Sequence, residues 1–210
     1  KVLIKDVGII IICVLLLLTI KIYIFFALLP AFGFWWFVRL QSRIKNVAVK
    51  VVVTPLLILL SFAIAYGSIL YISSQSSEFA SMDSINRKLS GYHSYHTYLG
   101  GSAYSLGEIS YTTTGLLLKA PQAIVVSLFR PFPFEIQNPL MLLASLESTL
   151  YLLLTFFVLF KTGVLKAYKY SVSNPIVTLC IVYTFVLGFI IGISSYNYGA
   201  LVRFKIPLLP

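Results

Sequence analysis

Long runs of apolar residues are the feature that most constrains how this chain folds. Three of them occupy residues 51–72, 139–160 and 174–195, and a longer one extends over residues 7–38. At about 1.5 Å per residue, helices of this length cross the ~30 Å hydrocarbon core of a bilayer. Charged residues make up only 10% of the chain, whereas soluble domains carry about a quarter. We therefore predict an all-α fold, a polytopic transmembrane helix bundle.

The apolar stretch over residues 7–38 has two interpretations. We favour one span at 7–29 followed by an interfacial segment with Trp35, because tryptophan is enriched at membrane interfaces. The alternative is a tight pair of short helices bent at Lys21, which would reverse the orientation of everything before Arg39. The favoured interpretation gives about four spans in total.

Basic residues cluster in two short loops that contain no acidic residue, at 39–50 and 161–172. They are Arg39, Arg43, Lys45 and Lys50 in the first loop, and Lys161, Lys166 and Lys169 in the second. Short loops rich in Lys and Arg face the cytoplasm. The net charge of +10 is thus a matter of membrane topology, and we expect the lipid bilayer rather than nucleic acid as a partner.

This topology divides the chain into three parts. Residues 1–72 hold two spans joined by a basic cytoplasmic loop. Residues 73–138 form a long extracytoplasmic loop, in which 121–129 is predicted to be an interfacial helix. Residues 139–210 hold two spans and an extracytoplasmic C-terminal segment. In the last span Gly188 and Gly192 have the GxxxG spacing that permits close helix contact.

Glu147 lies within the predicted span 139–160, ~12 Å along the helix from its outer end. A carboxylate there is costly unless it is paired, protonated or facing water. It is therefore either a catalytic, substrate or proton site or a structural hydrogen-bonded carboxyl, and both interpretations stay open. Arg130 and Glu135 precede this span, and Arg203 and Lys205 follow the last one, so all four are expected on the outer side.

The outer arginines are candidates for binding a phosphate or carboxylate, because a guanidinium presents a planar fork of donors. We predict that Arg130 and Arg203, with Glu135 and Lys205 beside them, form a substrate-binding site. The alternative is that these residues are ordinary interfacial anchors. Tyr104, which follows a Gly-Gly turn in the loop, is a further candidate for substrate binding.

His93 and His96 are the candidate catalytic bases. Their i,i+3 spacing would place both on one side of a helix, and histidine is a common general base for a hydroxyl group. The alternative is that they are surface or packing residues. A metal site is not expected, because a third ligand is missing, and neither phosphate-loop nor HExxH motifs occur. We therefore expect no cofactor.

Three strings resemble the C-terminal membrane part of bacterial surface-polysaccharide assembly proteins, the O-antigen or exopolysaccharide polymerases and ligases. They are GGSAYSLG at 100–107, SLFRPFPFEIQNPLMLLASLESTLYLLL at 127–154, and NYGALVRFKIPLLP at 197–210. Complete members of this group have more spans than the four predicted here. We therefore expect this chain to be the C-terminal part of a longer protein.

The resemblance implies a membrane glycosyltransferase of polysaccharide biosynthesis in the bacterial inner membrane. In such proteins arginines of an outer loop hold a lipid-linked oligosaccharide through its diphosphate, without metal or nucleotide. Carried over to this chain, Arg130 and Arg203 would hold the diphosphate, and His93 or His96 would be the base.

Two other functions fit the sequence. In a transporter or flippase subunit, Glu147 would be the coupling or substrate site, since such proteins place polar residues within their spans. In a non-catalytic scaffold of an envelope complex, the long loop would be a docking surface, and other membrane subunits would be the partners.

Overall fold

The structure is a computed structural model that describes residues 4–43, 82–99, 103–107, 109–110 and 112–208. These residues are helical for the most part, as predicted. The helices are α1 (Ile4–Ile20), α2 (Ile22–Arg43), α3 (Met82–Leu99), α4 (Thr113–Leu118), α5 (Ala120–Phe129), α6 (Pro139–Thr162), α7 (Val164–Ser173), α8 (Pro175–Ser194) and α9 (Tyr198–Lys205). Single 3₁₀ turns occur at Pro133–Glu135 and Ile206–Leu208.

Three of the described helices are long and apolar enough to cross a membrane. They are Ile22–Gln41 within α2, Pro139–Thr162 and Pro175–Ser194. The last two confirm the predicted third and fourth apolar helices. The predicted span at 51–72 lies outside the described residues, so the count of four spans stays a prediction. Within the predicted long loop, the described residues form helices α3, α4 and α5.

The first apolar stretch is divided differently from the favoured prediction of one span at 7–29. Lys21 separates α1 from α2, and the candidate span starts at Ile22. Helical hydrogen bonding still reaches the junction, because the Lys21 N–H donates to the Leu17 carbonyl at 3.0 Å. The interruption falls where the alternative interpretation placed a bend, at the one ammonium group of an apolar run. Trp35 lies inside α2 rather than in a separate segment.

Asparagine caps start three of the helices. Asn138 accepts a hydrogen bond from the Met141 N–H at 2.9 Å, and Asn174 accepts one from Ile176 at 3.1 Å. In both cases proline follows, where its missing N–H removes no helical hydrogen bond. Asn197 caps α9 by accepting a hydrogen bond from the Gly199 N–H at 2.7 Å, without a proline after it. These local signals fix where helices α6 and α8 and the short helix α9 begin.

The glycines of α8 make the predicted close contact, and their partner is α5. A Cβ atom at Gly192 would lie 2.0 Å from the Ala123 carbonyl oxygen, and one at Gly188 would lie 2.9 Å from Ser127 Oγ. The helix predicted at 121–129 is observed as α5, with bounds one residue wider at its start, and its location at the membrane interface stays a prediction. It packs along α8 and buries Ala123, Val126 and Ser127.

Helix α2 packs along α8. Near its start, Tyr23 contacts Phe204 of α9 with ring centroids 5.8 Å apart, and Ala27 and Ala31 are fully buried. Helix α2 also contacts α7, which precedes α8 and so lies at the other end of the bundle. Arg39, near the end of α2, therefore lies at the same end as α7. We call this the basic end, defined by Arg39, Lys161, Lys166 and Lys169.

Candidate functional site

Arg130 and Glu135 close the loop between α5 and α6. The Arg130 N–H donates to the Val126 carbonyl at 3.1 Å, which ends α5, and the chain then turns at Pro133–Glu135. The turn returns the Glu135 carboxylate to the guanidinium. Nε donates to one carboxylate oxygen at 3.1 Å, and Nη2 donates to the other. The Phe132 N–H adds a third hydrogen bond at 2.8 Å, so the string RPFPFE folds around its own ion pair.

Two tyrosine rings lie against the same guanidinium. Tyr104 and Tyr198 stack with centroids 4.8 Å apart, and Arg130 Cζ lies 5.2 Å and 5.4 Å from their centroids. Arginine is attracted to ring faces at this distance. The Tyr104 N–H donates to the Tyr196 carbonyl at 3.0 Å, which ties the loop to the segment before α9. Tyr104, predicted as a substrate ligand, therefore contacts Arg130, and its ring is buried.

Burial and charge set the ionisation of this group. Burial raises the pKa of Glu135, but hydrogen bonds from Arg130, Phe132 and Tyr198 outweigh it and hold the pKa below its ordinary value. Burial lowers the pKa of Arg130, but the hydrogen bond and charge of Glu135 outweigh that effect and raise it. Burial raises the pKa of both Tyr104 and Tyr198. At neutral pH the pair is therefore charged and the phenols are neutral.

Lys205 holds Arg130 from the backbone side. Its side chain is 1% exposed, and Nζ donates to Ser148 Oγ at 2.6 Å and to the Arg130 carbonyl at 3.4 Å. Ser148 Oγ donates to the same carbonyl at 3.1 Å. Burial lowers the pKa of Lys205, and the charge of Glu147 opposes this. Arg130 is therefore fixed at its side chain by Glu135 and at its carbonyl by α6 and α9.

We call this group the Arg130 cluster, defined by Tyr104, Arg130, Glu135, Ser148, Tyr198 and Lys205. Glu147 is half-buried beside it on α6 and acts on Lys205 by its charge. Four residues proposed from the sequence thus come together, and Glu147 adjoins them. Both interpretations of Glu147 remain open, since a charge that acts on Lys205 fits either a functional or a structural role.

Arg203 and the two histidines are placed elsewhere. Arg203 is exposed, and its Nε donates to the Gly199 carbonyl within α9 at 3.2 Å. His93 lies on α3 with its ring 5.0 Å from that of Tyr196, and His96 contacts Tyr95 at 5.4 Å. From the terminal string, the Arg130 cluster therefore contains Lys205 rather than Arg203.

The sequence interpretation missed Tyr198 and Ser148. Ser148 has a detectable signal, because Ala144, Ser145 and Ser148 share one helix face and all three are buried in α6. A small polar face on an otherwise apolar helix indicates a polar neighbour, which is Lys205. Tyr198 has no such signal, because its position depends on how α9 packs.

The chemistry of the cluster suits an anion rather than a metal ion. No group of three or more His, Cys, Asp or Glu side chains in the described part of the chain is placed to hold a metal. A guanidinium has five N–H donors, and Glu135 accepts two of them. The Arg130 side chain is 20% exposed.

No protein-family model, curated protein or solved structure matches this chain.

Proposed function

We propose that this chain acts in bacterial surface-polysaccharide assembly at the inner membrane, where it transfers or polymerises an oligosaccharide carried on a polyprenyl diphosphate at the outer face. One observation carries the proposal. Arg130 is a partly exposed guanidinium held rigidly by Glu135, in the loop that leads directly into the apolar helix α6. In this proposal Arg130 lies where the bilayer meets water, at the depth of the diphosphate of a lipid carrier.

The fixed orientation of Arg130 supports binding of a diphosphate. Glu135 accepts hydrogen bonds from Nε and Nη2, which fixes the plane of the guanidinium. Binding an anion to its other N–H donors would therefore cost little additional side-chain entropy. Cations positioned before the reaction stabilise the charge that develops on a leaving group. Lys205 and Ser148 act through the Arg130 carbonyl and are positioning residues in this proposal.

The proposed reaction is attack of an acceptor sugar hydroxyl on the anomeric carbon of the carried oligosaccharide. The glycosidic bond forms as the bond to the diphosphate breaks, and the diphosphate departs as an anion stabilised by Arg130. A base accepts the hydroxyl proton, and His93 or His96 on α3 is the proposed base. Arg203, exposed on α9, is the proposed second contact to the diphosphate.

A second candidate, a transporter or flippase subunit, is favoured by one specific observation. Lys205 is 1% exposed, and the charge of Glu147 opposes the lowering of its pKa by burial. Glu147 lies within the apolar helix Pro139–Thr162. An ionisable group within a membrane-spanning helix is typical of substrate or proton pathways. In this candidate Glu147 is the coupling group and Arg130 a structural residue.

The test replaces Arg130 in the native cells and measures glycan chain length, with protein level checked by immunoblot. Arg130→Ala is expected to remove long chains, and Arg130→Lys is expected to restore little, because an ammonium lacks the planar fork. Lys166→Gln, at the basic end, is the matched control and leaves chain length unchanged. Normal chain length in Arg130→Ala at normal protein level would refute the proposal. Loss of function in Glu147→Gln alone would favour the transporter.

A further inference from the structure

Helix α7 is a short rigid element between two apolar helices. Gly163, with φ +80°, makes the turn that separates it from α6, a conformation that side chains other than glycine rarely adopt. At its other end, Thr178 Oγ1 donates to the Ser171 carbonyl at 2.6 Å, and the Asn174 cap starts α8. The helix is therefore held at both ends, and its orientation follows from the two helices it joins.

Four apolar side chains of α7 form one exposed face. They are Val164 (66% exposed), Leu165 (77%), Tyr168 (67%) and Val172 (47%). At 100° per residue these four positions fall within about a third of the helix circumference. The described residues leave these apolar side chains of a ten-residue helix exposed. We therefore expect another molecule or phase to bury them.

The cations of α7 lie beside this face and opposite to it. Lys169 is exposed next to Leu165, and Lys166 is exposed on the opposite side together with Tyr170 (63% exposed). Lys161, at the end of α6, precedes the helix and is exposed. No acidic residue occurs anywhere in residues 148–210, and the neighbouring helix α2 contributes Arg39 to the same end. Lys161 also lies over the Phe157 ring at 5.6 Å. The basic end is therefore a cationic and aromatic rim next to exposed apolar side chains.

We propose that α7 lies in the plane of the membrane surface and binds anionic phospholipid headgroups. Its apolar face enters the acyl boundary, and Lys161, Lys166 and Lys169 contact the phosphates. Amphipathic helices with basic polar faces bind bilayers in this way, and each lysine near an anionic surface adds to the attraction. The charge of the rim favours a lipid occupant over a protein partner, because three cations without an acid match the anionic leaflet.

The first experiment measures the depth of single positions on α7. The chain with Cys13→Ser and Cys180→Ser carries one new cysteine, Leu165→Cys or Lys166→Cys, labelled with an environment-sensitive dye in vesicles of phosphatidylcholine and phosphatidylglycerol. Dye at 165 is expected to be quenched by nitroxide on lipid chains, and dye at 166, on the other side of the helix, by an aqueous quencher. Aqueous quenching at both positions would overturn the proposal. A dye at 165 shielded from both quenchers would mean that protein covers this face, which also overturns it.

The second experiment measures retained phosphatidylglycerol by native mass spectrometry. Replacing Lys161, Lys166 and Lys169 with Gln is expected to weaken retention by about fivefold per lysine, and replacing them with Arg should preserve it. Arg87→Gln on α3 is the matched control for loss of one exposed cation. Unchanged retention in the triple Gln variant, or an equal loss in Arg87→Gln, would contradict the proposal. Because the Arg130 cluster is untouched, either result leaves the proposed function undecided and separately testable.

Discussion

The cations at the two ends of the bundle differ in burial and in their partners. In the Arg130 cluster both cations are mostly or fully buried, and each has defined partners at hydrogen-bond distance. At the basic end Lys161, Lys166 and Lys169 are exposed and stand in a sequence region without acids. A buried cation must be satisfied by particular atoms, whereas an exposed one acts mainly through its charge. The cluster should therefore be sensitive to single changes, and the basic end only to the sum of its charges.

The largest expected effect comes from breaking the ion pair of the cluster. Glu135→Ala leaves the Arg130 guanidinium without its two carboxylate acceptors in a mostly buried setting, which is expected to lower the free energy of unfolding by about 3 kcal/mol. Lys166→Ala at the basic end should leave it unchanged. Titration with sodium dodecyl sulfate in mixed micelles measures both. Equal effects of the two substitutions would remove the distinction between the ends.

The next effect tests the packing that carries the cluster. In Gly192→Ala the new methyl group would overlap the Ala123 carbonyl, so α5 must move away from α8, at a cost of about 2 kcal/mol. The same movement displaces Arg130, because Arg130 ends α5. Gly91→Ala, where nothing lies within 4 Å of the added atom, is the matched control. A stable Gly192→Ala variant would show that the close contact of α5 and α8 does not position the cluster.

Much of this arrangement follows from the sequence. Asn-Pro pairs mark the starts of α6 and α8 to within one residue, because capping and proline are local effects. The outer location of Arg130, Glu135 and Lys205 follows from counting spans and stays a prediction. The positions of the two apolar helices α6 and α8 were predicted correctly, because they depend on short segments and on the thickness of a bilayer, not on packing.

The choice between Arg203 and Lys205 could not be made from the sequence. Two residues apart on a helix point to nearly opposite sides, so the outcome depends on the register of α9 against α6. That register follows from the packing of Tyr198 and Leu201, which are buried with Lys205. The interruption at Lys21 is similar, because an apolar run with one lysine fits either a continuous helix or two helices.

The third prediction concerns the pH dependence of stability. Burial holds the pKa of Lys205 below its ordinary value of about 10.4. At a pH between the lowered pKa of Lys205 in the folded chain and its ordinary value, the unfolded chain binds more protons than the folded one. Lys205 therefore makes the stability rise with pH in this range. Lys205→Met removes this contribution. The unfolding free energy of the unsubstituted protein minus that of Lys205→Met should therefore increase toward pH 9.5, by at most about 1.4 kcal/mol per pH unit.

Titration of the cluster tyrosines does not contribute to this difference in unfolding free energy. Their raised pKa values lower stability only above the ordinary tyrosine pKa of about 10, and they are present in both proteins. Lys166→Met, at an exposed lysine of the basic end, is the matched control. A difference for Lys205→Met that stays constant with pH would mean that Lys205 is as well solvated as the exposed lysines.

The smallest effect compares two buried serines on the same face of α6. Ser148→Ala removes a hydroxyl that donates to the Arg130 carbonyl and accepts from Lys205, which should cost about 1 kcal/mol. Ser145 Oγ is equally buried but has no hydrogen-bond partner among the described atoms, so Ser145→Ala should be neutral or slightly stabilising. Equal losses in unfolding free energy would mean that burial of a hydroxyl, rather than contact with Arg130, sets the effect. The cluster would then differ from the basic end in exposure alone.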